Sequence, residues 1–296
     1  MGYVEKISWT LLDKFFEGDS WNPFVGCSKI SDGCTNCYAI PIAEKQSGNA
    51  EAYRGVTETR GGKLRFTGVI NRQDKQFNKP KQKQQPHIFF MNSMSDFFHE
   101  DAEDEWRIEA IEIMRECKRH MFELLTKRPD KAIEFFERNP DSKLPENVWL
   151  GATVENVATK HRVEEITSIP ASVHFLALEP LLEKIPKLNL ENVDWVIVGG
   201  ESGENWRPMK YEWVKDIEWQ CDAAGVNFYF KQWGHWRNNP LSKAGGWQNV
   251  ENNDITENGG RKLDGEIVHE HPSLEKIKKV WTAEADHFNK WFKKQD

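Results

Sequence analysis

The sequence predicts a mixed α/β fold, specifically a partial or near-complete (β/α) TIM-type barrel, from three observations. Short apolar runs rich in β-branched and aromatic residues alternate with amphipathic helical segments between residues 87 and 231, which is typical of parallel βα units. About seven such units are present, too many for a small doubly wound sheet and close to the number in a barrel. The 296 residues, 38% hydrophobic and 29% charged, suffice for one large globular domain.

The barrel is predicted to span residues 21–234, after a polar lead-in at residues 1–20. Its first strand is predicted at Trp21–Gly26, its first helix at Cys37–Gln46, and a small extra strand at Phe66–Ile70. Six further strands are predicted at His87–Asn92, Met121–Thr126, Val148–Val154, His174–Glu179, Val193–Gly199 and Val226–Lys231. Four helices between them are predicted at Ala102–Lys118, Lys131–Asn139, Ala158–Ile169 and Glu212–Ala224.

Residues 235–296 are predicted to form a C-terminal extension. Residues 235–272 are rich in Asn, Gly and charge and indicate irregular structure, whereas Ser273–Lys294 has apolar residues at helical spacing and Ser273 as an N-cap. Thirteen tryptophans are present, and core packing is the simpler interpretation for most of them. Base stacking is the alternative for the group near the end of the barrel: Trp206, Trp213, Trp219, Trp233, Trp236 and Trp247.

Composition and charge limit the functional classes. The sequence has no charged-then-apolar leader and no apolar run of membrane-spanning length, so we expect a cytoplasmic protein with no membrane partner. The net charge of −7 argues against unspecific binding of polyanions but permits a local basic groove. The lysine-rich segment 75–83 is expected to be an exposed loop and is the first candidate for phosphate contacts.

Three of the five cysteines lie in one segment with the spacing C-x6-C-x2-C, at Cys27, Cys34 and Cys37. A disulfide is a poor interpretation, because cytoplasmic thiols stay reduced and the group has an odd number of cysteines. No fourth cysteine lies nearby, and the next histidine is His87. Three thiolates with one open position suit an iron–sulfur cluster or a zinc ion with an exchangeable fourth ligand. The remaining cysteines, Cys117 and Cys221, lie in predicted helices and are expected to be core residues.

Polar residues follow every predicted strand of the barrel. In a parallel barrel these carboxyl ends meet on one face, together with the cysteine segment. Two glutamates stand out there: Glu179 ends an apolar run, and Glu201 lies in a Gly-Gly-Glu-Ser-Gly loop. A carboxylate in such a place either faces the barrel mouth or is buried at a cost unless paired. We therefore predict both as catalytic residues.

These motifs resemble the radical S-adenosylmethionine (SAM) superfamily, in particular the branch around spore photoproduct lyase. The resemblance lies in Asn22-Pro23-Phe24-Val25-Gly26-Cys27 and in Cys34-Thr35-Asn36-Cys37-Tyr38-Ala39. The chain from Trp21 to about Gly234 is also similar to a phage- and prophage-associated three-cysteine-motif family of undetermined substrate. That likeness includes Leu125-Thr126-Lys127-Arg128-Pro129 and Leu178-Glu179-Pro180-Leu181.

The resemblance implies that Cys27, Cys34 and Cys37 hold a [4Fe–4S] cluster whose fourth iron binds SAM. It further implies reductive generation of a 5′-deoxyadenosyl radical that modifies or repairs a nucleic-acid base or nucleotide, with an electron donor such as flavodoxin or ferredoxin. The cofactor-binding residues carried over by this likeness or placed beside it are Asn36, Tyr38, Ser93, Ser95, Asp96, Lys127 and Thr153. Asp96 and Lys127 would give a zwitterionic amino acid an anion for its ammonium and a cation for its carboxylate.

Two departures from the superfamily pattern are evident. The usual loop is C-x3-C-x2-C, so the first gap here is longer, and its additional residues within Ser28–Asp32 are expected to bulge outward. The Gly-Gly-Glu motif of many members follows the second strand, whereas Gly199-Gly200-Glu201 comes several strands later, so its role is not transferred.

Two other functional classes remain open. One is a zinc-stabilised, non-enzymatic binding module, such as a phage accessory protein. The other is a zinc-dependent hydrolase of the barrel type, although such sites usually recruit histidine and no strand end here carries a histidine pair.

Overall fold

The computed structural model describes residues 17–240 and 259–272. Its strands, in chain order, are β1 Glu17–Trp21, β2 Phe24–Val25, β3 Thr57–Arg60, β4 Lys63–Phe66, β5 Asn71–Arg72, β6 His87–Met91, β7 Met121–Thr126, β8 Val148–Thr153, β9 Val173–Leu178, β10 Trp195–Gly199, β11 Asn227–Gln232, β12 Lys262–Leu263 and β13 Glu266–Ile267. Its α-helices are α1 Ala39–Ser47, α2 Asp74–Phe77, α3 Lys79–Gln82, α4 Asp104–Glu116, α5 Pro129–Arg138, α6 Arg162–Thr167 and α7 Tyr211–Ala224.

Seven parallel strands form one curved sheet in the order β1-β6-β7-β8-β9-β10-β11. Strands β1 and β11 lie at opposite ends of the sheet, so the architecture is a half-barrel. The predicted partial (β/α) barrel is thereby confirmed. The carboxyl ends of all seven strands lie along one edge, which we call the mouth, and the amino ends lie along the opposite edge, the foot.

The first strand of the sheet lies four residues earlier than predicted. Strand β1 covers Glu17–Trp21, so the end of the predicted lead-in belongs to the sheet, whereas Phe24–Val25 pairs with β5 in a separate ribbon. Among the described strands β1 pairs with β6 alone, at one end of the sheet, and Glu17–Ser20 are polar or small and give little hydrophobic signal. Trp21 is fully buried against Phe77 and Phe122 and fixes the end of the strand.

The predicted extra strand at Phe66–Ile70 was wrong. Residues 57–66 instead form the antiparallel hairpin of β3 and β4, closed by the pair Gly61 and Gly62 at positive φ. The chain then leaves the hairpin through Gly68, which has φ of 95° and cannot continue an extended strand.

The other predicted strands and helices of the barrel are present, the strand Met121–Thr126 with its predicted bounds and the rest with ends shifted by a few residues. Helix α5 begins with Pro129, whose missing N–H costs nothing at a first helical position. Helix α7 ends at Gly225, which has the left-handed φ of 68°. The predicted helix Ala158–Ile169 divides into a 3₁₀ turn, Val157–Thr159, and the shorter α6.

Two hydrophobic cores lie on opposite faces of the half-barrel. The larger packs the outer face of the sheet, including Phe89, Phe122 and Leu176, against the helices. The smaller lies on the inner face and consists of Ile88, Phe90, Met121, Trp149, Val173, Phe175, Trp195, Ile197 and Tyr229. Because both faces are buried, the strands read as nearly continuous apolar runs in the sequence.

The lysine-rich segment 75–83 is not an exposed loop. It forms α2 and α3, and three of its four lysines pair with acidic groups: Lys79 lies 2.8 Å from Asp19, Lys83 3.5 Å from Asp19, and Lys81 2.6 Å from Glu116. These ion pairs attach the segment to β1 and α4, and its predicted role in phosphate binding stays a prediction.

The described part of the extension lies along β11. The Phe230 N–H donates to the Val268 carbonyl (2.8 Å), and the Glu270 N–H donates to the Phe228 carbonyl (3.1 Å). The predicted C-terminal helix, Ser273–Lys294, lies outside the described residues. Among the helices of residues 17–240 and 259–272, none has the length and hydropathy that a membrane crossing requires.

Candidate metal and cofactor site

The cysteine loop, residues 26–38, lies at the mouth of the half-barrel. Its first residue, Gly26, donates its N–H to the Met94 carbonyl after β6 (3.0 Å). Gly26 has φ of 100°, and a Cβ there would lie 2.0 Å from the Val69 carbonyl oxygen. Only glycine fits this position, so the entry of the loop is fixed by backbone packing.

Cys27 lies beside a buried cation. Arg128 Nη1 is 3.9 Å from Cys27 Sγ, within hydrogen-bonding reach of sulfur. Burial raises the pKa of the Cys27 thiol to about 12 although the guanidinium acts to lower it. A metal that binds this thiol must therefore displace its proton.

Cys34 and Cys37 have different surroundings. Cys34 Sγ lies 3.6 Å from the Ser31 hydroxyl. Cys37 precedes α1; burial raises the pKa of its thiol, partly offset by the backbone N–H groups of Ala39 and Ile40 and by the charge of Lys127. All three thiols are free and partly exposed, so they remain accessible to a ligand.

The spacing of the sulfur atoms bears on the kind of metal centre. The three atoms do not all lie within 4.8 Å of one another. Three thiolates on one tetrahedral zinc ion would be about 3.8 Å apart, given Zn–S distances of about 2.3 Å. In an iron–sulfur cluster each thiolate binds a different iron, which requires a wider spacing. At least one pair of the sulfur atoms is therefore too far apart in this structure for all three to bind a single tetrahedral ion.

The additional residues of the cysteine loop point in two directions: Lys29 and Ile30 are exposed, in line with the predicted outward bulge, whereas Ser31 packs toward the residues after β8. The Ser31 hydroxyl donates to Glu155 Oε1 (2.7 Å), and Asn156 Nδ2 donates to Asp32 Oδ2 (3.3 Å). A Cβ at Gly33 would lie 2.4 Å from Glu155 Oε1, so the loop approaches this carboxylate as closely as glycine allows. The long first gap is therefore packed on the residues that follow β8.

Glu155 is a residue that sequence reasoning did not select. It is fully buried and lies 3.0 Å from Lys127 Nζ and 3.5 Å from Arg162 Nη1. Lys127, predicted to meet a cofactor carboxylate, thus pairs with a carboxylate of the chain itself. The available signal was the position of Glu155 directly after a strand, among the polar strand ends.

Asp96 is buried at the end of β6 and is engaged by the neighbouring strand. It accepts hydrogen bonds from the Thr126 hydroxyl (2.6 Å) and from the N–H groups of Lys127 (2.8 Å) and Phe98 (3.0 Å). Arg128 Nη1 lies 3.5 Å from Oδ2, the oxygen that accepts from the Lys127 N–H. Asp96 thus orients the turn after β7, and its predicted contact with the cofactor stays a prediction.

Glu201 links the Gly-Gly-Glu loop to the cysteine loop. Its carboxylate accepts from Asn36 Nδ2 (3.0 Å) and from the N–H and Nε of Arg207 (both 2.8 Å). Burial alone would raise the pKa of Glu201, but the donors on Arg207 and Asn36 hold it below its usual value. Asn36 also donates to the Asn205 carbonyl (2.7 Å), so a second hydrogen bond joins the two loops.

Glu179 forms a second polar group at the mouth, at the end of β9. Both of its oxygens lie 2.7 Å from Lys231 Nζ, and Gln232 Nε2 donates to Oε1 (2.9 Å). Glu179 and Lys231 are partly buried and come from different strands. The pair therefore joins the end of β9 to the end of β11.

The remaining predicted cofactor residues lie after β6 and β8. Ser93 hydrogen-bonds to Asn22 (3.1 Å) and accepts at its carbonyl from the Tyr38 hydroxyl (3.4 Å); Thr153 is buried at the end of β8. The Ser95 hydroxyl is buried and has no hydrogen-bond partner among the described residues.

Asn92 was not predicted, but its side chain is a candidate ligand contact. It is 5% exposed, and neither atom of its amide has a hydrogen-bond partner among the described residues. Buried amides rarely remain unsatisfied, so Asn92 and Ser95 offer polar contacts at the mouth that a ligand would complete.

Aromatic rings stack at the rim of the mouth. Trp206 and His235 lie face to face with ring centroids 4.0 Å apart and an interplanar angle of 9°. Trp236 adjoins His235 at 5.5 Å, and the Arg237 guanidinium lies 5.0 Å from the Trp236 ring. Burial and the charge of Arg237 lower the pKa of His235, which favours the neutral ring.

Comparison with known proteins places the chain in one family. It belongs to the family described as "Protein of unknown function (DUF5131)", whose sequence signature matches residues 5–272. No curated protein and no solved structure matches the chain.

Proposed function

We propose that this member of the DUF5131 family is a radical SAM enzyme that carries a [4Fe–4S] cluster on Cys27, Cys34 and Cys37. The observation that carries the proposal is the position of three partly exposed thiols, from one loop, at the mouth of a parallel half-barrel. Their spacing is wider than a single tetrahedral ion needs. Strand ends at a barrel mouth are where such folds build their active sites.

The residues around the loop are suited to hold the cofactors. The buried amide of Asn92 and the Ser95 hydroxyl, which have no hydrogen-bond partner among the described residues, would contact SAM, with Thr153 and Tyr38 nearby on the same edge. Lys127 would meet the SAM carboxylate by exchanging its contact with Glu155, from which it is 3.0 Å away. When bound, the cluster and SAM supply hydrogen-atom abstraction from a substrate.

The side chains of the protein itself would orient the cysteine loop and balance charges at the mouth. Arg128, Glu155 and Glu201 fix the cysteine loop at three separate points along the mouth. The pair of Glu179 and Lys231 lies at the ends of β9 and β11 and is the candidate for proton transfer to or from the substrate. An external protein, such as a flavodoxin or ferredoxin, would deliver electrons to the cluster.

The proposed substrate is a nucleic-acid base or nucleotide. Support comes from the stack of Trp206 and His235 at the rim, because aromatic rings with a nearby guanidinium are the usual stacking surface for bases. The loop that carries Trp206 is tied to the cysteine loop through Asn36 and Asn205. A base stacked there would therefore lie beside the proposed cluster.

Metal analysis of anaerobically purified protein tests the cluster. We expect about four iron and four sulfide per chain, with the broad visible absorption of thiolate-ligated iron. Cys34→Ala should lose both, because two thiolates do not retain the cluster, whereas Cys117→Ala, in the core behind α4, should retain them. One zinc per chain without sulfide would instead favour the zinc-stabilised binding module.

Oligonucleotide binding tests the substrate class separately. Fluorescence anisotropy with labelled single-stranded DNA and RNA should show Trp206→Ala binding about fivefold to a hundredfold more weakly than wild type, since one stacked base contributes about 1–3 kcal/mol. Trp219→Ala is the matched control, because Trp219 is 69% exposed on α7. Equal binding by Trp206→Ala and wild type would contradict the nucleotide assignment and leave the cluster assignment intact.

A further inference from the structure

Arg128 lies in the turn between β7 and α5 and is almost completely buried, with 3% of its surface exposed. Its guanidinium contacts the cysteine loop along one edge: Nη2 donates to the Ser28 hydroxyl (2.8 Å) and carbonyl (3.1 Å), and Nη1 lies 3.9 Å from Cys27 Sγ. Nη1 thus adds a polar contact to the sulfur of a partly buried cysteine.

The guanidinium is itself held from two other directions. Arg128 Nε donates to Glu100 Oε2 (2.8 Å), and Nη1 lies 3.5 Å from Asp96 Oδ2. His99, whose Nδ1 accepts from the Asp101 N–H (3.2 Å), donates from Nε2 to the same Ser28 hydroxyl (2.8 Å). The position of Arg128 relative to Cys27 is therefore fixed by groups on both sides.

The three thiols are not equivalent in this respect. The Cys34 sulfur is contacted by a neutral hydroxyl, and the Cys37 sulfur is approached by backbone N–H groups. Among the described residues, Cys27 is the cysteine whose sulfur has a guanidinium within 4 Å. The chain thus places one buried positive charge against one of three candidate ligands.

We propose that Arg128 is a positioning residue that neutralises the Cys27 thiolate and raises the reduction potential of the metal centre. The inference rests on the proposed cluster on Cys27, Cys34 and Cys37. A buried cation and an N–H donor beside a thiolate ligand both stabilise the state with one more electron. Burial increases the effect, since the surrounding medium screens the charge weakly.

Arginine suits this role better than lysine. Its planar fork reaches the sulfur, the Ser28 oxygens and Glu100 in different directions at once, and it stays charged when buried. An ammonium at the same place would keep the charge but lose contacts to the Ser28 carbonyl or hydroxyl. The charge effect and the positioning effect are therefore separable by substitution.

The test is the midpoint potential of the cluster, measured by EPR during titration with dithionite as the electron source. Arg128→Gln should make one-electron reduction at least tenfold less favourable, which is a shift of about 59 mV to more negative potential. Arg128→Lys should fall between the variant and wild type. Glu100→Gln leaves Arg128 in place but removes a carboxylate from it, so it should shift the potential in the positive direction.

Arg107→Gln is the matched control. Arg107 is also buried, at 3% exposure, but it hydrogen-bonds to the Phe97 and His99 carbonyls and Asp104 rather than to the cysteine loop.

If Arg128→Gln does not retain iron, Glu100→Gln decides the question. Unchanged potentials in Arg128→Gln and Glu100→Gln, with a wild-type protein that holds its cluster, would overturn the role of Arg128 alone; a wild-type protein without iron and sulfide would overturn the proposed function as well.

Discussion

The mouth and the foot of the half-barrel both contain buried polar side chains, but they use them differently. At the foot, Asn147 donates to the carbonyls of Met114, Cys117 and His120 at 2.9–3.3 Å. His120 in turn accepts from the His87 N–H (3.1 Å) and donates to the Pro80 carbonyl (2.9 Å). These neutral groups bind the backbone and close loops.

At the mouth, charged side chains face one another. Asp96 and Glu100 meet Arg128, Glu155 meets Lys127 and Arg162, Glu201 meets Arg207, and Glu179 meets Lys231. Thiols and an unsatisfied amide lie among them. A fold that only needed stability would favour the arrangement at the foot, because desolvated charges are costly. This difference is the reason for placing the proposed function at the mouth.

Of the substitutions that test this difference between mouth and foot, Asp96→Asn should have the largest effect. It removes the charge that faces Arg128 and places an N–H₂ group against existing donors, so we expect a loss of about 3 kcal/mol in the free energy of unfolding. Urea unfolding followed by tryptophan fluorescence measures the loss, and the iron content of the folded fraction should fall with it. Asn147→Ala is the contrast at the foot, with a similar loss of about 1–3 kcal/mol and unchanged iron. Equal loss of iron in both variants would contradict the proposed difference between a mouth that holds the metal and a foot that does not.

The pH dependence of the free energy of unfolding should reflect the buried His120 at the foot. Burial is the main cause that lowers the pKa of His120, to about 4, below the value of about 6.5 expected for the unfolded chain. As the pH falls below 6.5, the unfolded state takes up a proton that the folded state does not, so this group removes at most about 1.4 kcal/mol of stability per pH unit down to about pH 4.

His120→Asn should reduce that slope by the share of one group. Other histidines with lowered pKa values, among them His99 and His271, keep the rest of it. Urea unfolding at half-unit intervals between pH 4.5 and 7.5 measures the slope. An identical slope in the variant would show that His120 is protonated in the folded state.

Arg207→Ala should have the smallest effect. The side chain of Arg207 is 31% exposed, so its pair with Glu201 contributes about 1 kcal/mol or less to the free energy of unfolding. Because the folded pKa of Glu201 is lowered, this contribution is present above the unfolded value near 4.5 and disappears as the pH falls through the folded value. The control is Arg138→Ala on α5, where the exposed pair with Asp104 should contribute still less. A larger loss for Arg138 than for Arg207 would remove the distinction between mouth and surface pairs.

The strands and the residues that follow them show how much of the fold can be predicted from the sequence. The apolar runs at Met121–Thr126 and Val148–Thr153 are readable because both faces of the sheet are buried, and the polar residues after them belong to the mouth for the same reason. Strand β1 escaped prediction because Glu17–Ser20 lie at the edge of the sheet and carry no apolar pattern. Glu155 was passed over because its importance depends on Ser31 and Lys127, which are distant in sequence.

The sequence by itself determined the parallel α/β architecture and the grouping of three cysteines in one loop, because periodicity and residue spacing are local properties of a chain. Tertiary structure alone decided which partner each charge has: that Arg128 faces Cys27, that Asp96 serves the turn after β7, and that the long cysteine gap packs on Glu155. Those choices depend on the register and curvature of seven strands, which bring residues 31 to 165 positions apart into hydrogen-bonding distance.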